Sequence, residues 1–104
     1  MTNRIEQLQS FLVQSPNDGF LNHALALEYV KLGDDAKAQQ YFEHNLIQDA
    51  TYIATYYHLG KLLERVGQQA AAIAIYEQGM KAAKAANDGH SYNELQAAHE
   101  DLVY

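Results

Sequence analysis

Five histidines fall in 104 residues, at positions 23, 44, 58, 90 and 99, alongside thirteen Asp and Glu residues. Imidazole and carboxylate side chains are the groups from which zinc sites and general acid–base pairs are built, so their spacing decides which sites the chain can form. No two histidines stand three or four residues apart, so no single helix would present two ligands on one face. The run His99-Glu100-Asp101 offers a His–carboxylate neighbour pair, but at a helical end it reads as a solvated face. No Gly-rich phosphate loop is present, and no Ser/His/Asp set has the strand-to-helix context of a nucleophile turn. Without cysteine, disulfides, thiol nucleophiles, zinc ribbons and iron–sulfur clusters are excluded. The expectation is a non-enzyme with no cofactor and no metal.

The elements that position these residues are helices. Proline occurs once, at Pro16, and the glycines fall mostly where a hydrophobic pattern changes. No alternation of period two persists. Ile5, Leu8, Phe11 and Leu12 recur at helical spacing behind Thr2 or Asn3 as N-cap, predicting a helix over about 3–14 that ends at "SPNDG". Leu21, Leu25, Tyr29 and Leu32 predict a second helix from Asp18 to Gly33, and Ala38, Phe42 and Leu46 a third. Tyr56, Leu59, Leu63 and Val66 run to Gly67 as a fourth, and Ala72, Tyr76 and Met80 lie on a fifth that lasts to about Ala86. Tyr92, Leu95, Ala98 or His99, and Leu102 share one face of a sixth, beginning near Gly89. Connections this short make neighbouring helices antiparallel.

Gly33 and Gly67 are 34 residues apart, and their surroundings keep that offset. Leu25 matches Leu59, Ala26 Gly60, Tyr29 Leu63, Lys31 Arg65, Ala38 Ala72, Phe42 Tyr76 and Leu46 Met80. Small residues at 26, 60, 38 and 72 allow close helix approach, and Phe42 and Tyr76 fill the space beside them. Gly33 would end one helix in the left-handed conformation and Asp34 cap the next. The tyrosines sit mostly at core spacing with hydroxyls expected at the surface.

On "ALALEYVKLGDDAKAQQYFEHNL" and "YYHLGKLLERVGQQAAAIAIYEQGM" the chain resembles the tetratricopeptide repeat family, in the manner of a small bacterial-type member. The resemblance implies an all-α fold of about six helices, antiparallel helix–turn–helix repeats stacked as a short right-handed superhelix. Residues 1–104 would then form a single domain, with an N-terminal half repeat at 3–16, full repeats at 19–52 and 53–86, and a C-terminal capping helix at 89–104. The family's early aromatic is Asn22 in the first repeat and Tyr56 in the second, Asn45 replaces a usual alanine, and the closing proline survives only as Pro16, with Ala50 at the next such place.

The resemblance implies that the first helix of each repeat lines a concave side. The candidate partner-binding face is Phe20, His23, Leu27, Val30 and Lys31 in the first repeat, with Ala54, Tyr57, Lys61, Glu64 and Arg65 in the second and His58 at the margin. His23 and His58 would lie near equivalent turns. The apolar and cationic groups suit a peptide or partner protein with acidic groups. The lysine–asparagine clamp by which some relatives hold a C-terminal carboxylate is not matched, since His23, Leu27 and His58 stand at its places. The expected function is a non-catalytic protein–protein interaction module or adaptor; the alternative is self-assembly as a homodimer through Phe20, Leu27 and Val30 or the apolar end "LVY". A net charge of −6 disfavours nucleic acid and anionic membrane surfaces, and neither a secretory leader nor a membrane span is legible, so a cytoplasmic location is expected.

Overall fold

Side-chain caps open most of the helices. In the computed structural model, which describes residues 3–104, Asn3 Oδ1 accepts the backbone N–H of Glu6 at 2.8 Å and begins α1, Arg4–Gln14. Thr2, the other cap considered, lies outside the described residues. Asp18 accepts from Leu21 N at 2.9 Å to begin α2, Gly19–Leu32, and Asp34 accepts from Lys37 N at 3.2 Å to begin α3, Asp35–Gln48. Two more helices, α4 (Ile53–Arg65) and α5 (Gln69–Ala85), start without a side-chain cap, Gln68 standing where Asp34 stands one repeat earlier. Asp88 opens α6, Gly89–Val103, accepting from both the backbone N–H and the hydroxyl of Ser91. No strand occurs among the described residues.

The helix ends repeat one hydrogen-bond pattern. Gly33 N bonds to Val30 O while Asp34 N reaches Tyr29 O; Gly67 N and Gln68 N do the same to Glu64 O and Leu63 O. Both glycines are left-handed, at φ +79° and +84°, as this double closure requires. Asn87 closes α5 in the same way at φ 56°, with Asn87 N to Lys84 O and Asp88 N to Ala83 O. Only the two glycines were legible as such ends; asparagine is the other residue that tolerates this conformation.

The helices fall into two compact units, Met1–Asp49 and Ala50–Tyr104. In the first, α2 packs against α1 and α3, burying Leu8, Leu25, Ala26, Tyr29, Ala38 and Phe42. Tyr29 stacks on Tyr41 with centroids 5.7 Å apart and receives a hydrogen bond from Gln9. In the second, α5 packs against α4 and α6, and α6 also touches α4. Its core holds Leu59, Leu62, Leu63, Ala72, Tyr76, Ala83 and Leu95.

Each unit ties its loop to its first repeat helix at corresponding places. Asn22 Nδ2 donates to Pro16 O at 3.1 Å; 34 residues on, Tyr56 Oη donates to Ala50 O at 2.6 Å. The departure from an aromatic at Asn22 thus preserves the tie with a different donor, and the loss of proline at Ala50 leaves its carbonyl held. Two expectations are corrected. Leu32 and Val66, assigned to the apolar stripes, are exposed, because each directly precedes the left-handed residue where the chain turns away from the packed partner. Tyr76 does not bring its hydroxyl to the surface: the side chain is fully buried and the hydroxyl donates to Glu64.

Candidate interaction faces

In the second unit the outward face of α4 is built around Glu64. Its carboxylate takes the Tyr76 hydrogen bond from below and lies 3.7 Å from Lys61 Nζ. The Lys61 ammonium also stands 5.6 Å from the centre of the Tyr57 ring, a cation–π distance. A buried core phenol therefore fixes Glu64, which holds Lys61, which covers Tyr57. Burial, then the bond to Glu64, pushes the Tyr76 hydroxyl well above the usual phenol range, so it remains a donor. Tyr57 is half-buried, and its ring meets the exposed His58 edge-on at 5.7 Å. Partial desolvation lowers the His58 pKa below its ordinary value, opposed by the nearby charge of Glu94 on α6. Ala54 and Arg65 are exposed on the same helix.

In the first unit the α2 face is less uniform. Phe20 is 63% exposed, Leu27 and Val30 are half-buried, and Lys31 is exposed but bound to Glu28 at 2.9 Å. Arg4 reaches the same Glu28 at 3.7 Å. His23 stands apart from the others: it is buried, with its ring 5.6 Å from that of Phe42. Helical spacing placed it outward, but α2 buries an unbroken run from Asn22 to Ala26, a wider stripe than the period alone indicates.

Sequence reasoning missed Glu94 on α6 and took Asp101 only as part of a solvated face. Glu94 acts on His58 and Asp101 on Tyr76. A signal existed: Tyr92 and Leu95 stand 36 residues after Tyr56 and Leu59, so the α4 pattern resumes in α6 with two residues inserted. Glu94 and Asp101 then take the places of His58 and Arg65. Among the described residues no three His, Cys, Asp or Glu side chains gather to hold a metal ion, and no helix is long and apolar enough to cross a membrane.

The sequence pattern of the tetratricopeptide repeat matches residues 21–44 and 53–85, more than half of the chain. The chain belongs to the tetratricopeptide repeat family. It is 29% identical over 91 residues to a TPR repeat-containing protein of Pseudomonas aeruginosa, covering 88% of this chain and 87% of the relative. The crystal structure of a tetratricopeptide repeat domain protein from Salinibacter ruber matches with a TM-score of 0.78 and 38% identity, over 82% of this chain and 94% of that one. A solution structure from Bordetella parapertussis matches with a TM-score of 0.83 and 28% identity, over 98% and 89%. Members of the family generally mediate protein–protein interaction and are generally not catalytic.

Proposed function

We propose that residues 1–104 act as one non-catalytic adaptor domain that engages a peptide or partner protein through the exposed face of α4, and that the exposed face of α2 serves the same end. The observation that carries this reading is the Tyr57–Lys61–Glu64 cluster. Glu64 is fixed by a buried phenol, so the cation and aromatic above it are held in place before any partner arrives, which lowers the ordering cost of binding. A half-buried tyrosine, with an exposed arginine two turns further along the same helix, supplies residue types that dominate binding energy at interfaces. The acidic partner groups would meet Lys61 and Arg65; a net charge of −6 argues against nucleic acid. The cysteine-free sequence suits the reducing cytoplasm.

Crosslinking in a host lysate followed by mass spectrometry tests this. The Tyr57→Ala, Arg65→Glu double variant should lose the specifically captured partner; an unchanged capture profile removes the α4 face from consideration. Self-association through α2 is the second reading, favoured by the exposure of Phe20. Light scattering separates them: a monomer throughout the micromolar range sinks self-association, and a dimer abolished by Leu27→Asp supports it.

A further inference from the structure

Of seven basic side chains, five are engaged within the fold. Arg4 and Lys31 pair with Glu28, Lys61 with Glu64, Lys37 lies 5.4 Å from the centre of the Tyr29 ring, and Arg65 is likewise engaged. Lys81 and Lys84 make no hydrogen bond, ion pair or ring contact among the described residues, and both line one groove. That groove, about 470 Å³, runs between α5 and α6 and is walled by Met80, Tyr92, His99 and Glu77. Lys84 and Tyr92 also border an adjoining groove of about 350 Å³ at the α5–α6 turn. Two acids border these grooves: Glu77 lies 3.1 Å from the His99 ring, and Asp88 accepts from the backbone N–H and the hydroxyl of Ser91.

Spacing of i, i+3 puts the two ammonium groups on one side of α5, one turn apart. Two half-buried side chains share the groove with them: Met80 on α5, which adapts its shape to what it meets, and Tyr92 on α6, which offers a flat apolar ring with a polar tip. In a chain of net charge −6, Lys81 and Lys84 are the two cations with no direct partner among the described residues, so both ammonium groups are open to an anionic ligand. Carboxylates one helical turn apart, with an apolar side chain between them, complement this arrangement.

We propose that the α5–α6 groove is a second docking site, which takes an acidic peptide segment: its apolar side chain rests on Met80 and Tyr92, and its carboxylates pair with Lys81 and Lys84. This site does not depend on the α4 face. The test is an amide NMR titration of the isotopically labelled full chain with the blocked peptide Gly-Glu-Leu-Ala-Glu-Gly. Saturable shifts should centre on Lys81, Lys84 and Tyr92. The dissociation constant should weaken about tenfold when both lysines are replaced (Lys81→Glu, Lys84→Glu), when glutamine replaces the peptide glutamates, or when salt rises from about 0.05 to 0.5 M. Both lysines are exposed and unpaired, so the double variant should keep its helical circular dichroism. Absence of shifts at millimolar peptide, shifts centred elsewhere, or equal affinity in the double variant would each overturn the proposal. So would shifts that grow with protein concentration alone, which would seat a second copy there. The Tyr57→Ala, Arg65→Glu variant should titrate like the unmodified chain, which keeps failure of the α4 reading distinct from failure here.

Discussion

The phenol of Tyr76 ends on Glu64, and that contact joins the core of the second unit to its exposed face. Helical period correctly sent Tyr76 inward because its ring is large and apolar. It could not show that the hydroxyl would be satisfied by a carboxylate twelve residues earlier, since that depends on how α4 and α5 are rotated about their axes. The burial of His23 was hidden for the same kind of reason: its ring meets that of Phe42 on another helix. His58 beside this cluster yields a prediction. Desolvation favours its neutral form in the fold, so between the depressed folded pKa and about 6.5 the unfolded chain binds more protons. Its contribution to stability is complete above about pH 6.5 and is lost as pH falls through the folded value. Urea midpoints measured from about pH 5 to 8 should rise with pH more steeply in the unmodified chain than in His58→Gln. Parallel profiles would show that His58 titrates as it does in the unfolded state.

Between elements, close approach is set by residues without side chains. A Cβ added to Gly60 would sit 2.2 Å from the Tyr76 ring, which is fully buried and tethered at its hydroxyl, so neither ring nor helix can yield cheaply. Gly60→Ala should destabilise by about 1–3 kcal/mol in urea unfolding despite alanine's better helix propensity. Gly89→Ala, with nothing within 4 Å of the added atom, is the control and should change stability far less. An equal loss at both sites would show that the α4–α5 contact accommodates a methyl group. The role of Gly60 was legible because Ala26 matches it 34 residues earlier. Gly79 was not: its counterpart is Asn45, and its need for glycine comes from the Tyr56 Cβ, 2.6 Å from an added Cβ, and from Leu95 on α6. Helix limits were legible to within a residue or two, the end of α5 near Ala86 among them; its closure by a left-handed Asn87 was not, since asparagine marks turns and interiors alike.

At the scale of the whole chain, each unit has its own large buried ring at the same repeat position, Phe42 in the first and Tyr76 in the second. In repeat proteins stability is approximately a sum of local terms and nearest-neighbour terms, so a lesion is felt most where it is made. Phe42 is fully buried, and Phe42→Ala removes its transfer energy and leaves a cavity, a cost of about 3–5 kcal/mol. For a chain of this length that is a large share of a total of about 5–15 kcal/mol. Hydrogen exchange reads where the loss falls. If local terms dominate, the slow amides of α2 and α3 should exchange more than about a hundredfold faster, the equivalent of about 3 kcal/mol, while those of α5 and α6 change by less than about tenfold. A uniform acceleration across all six helices would instead show that the neighbour term outweighs the local one and that the two units unfold as one.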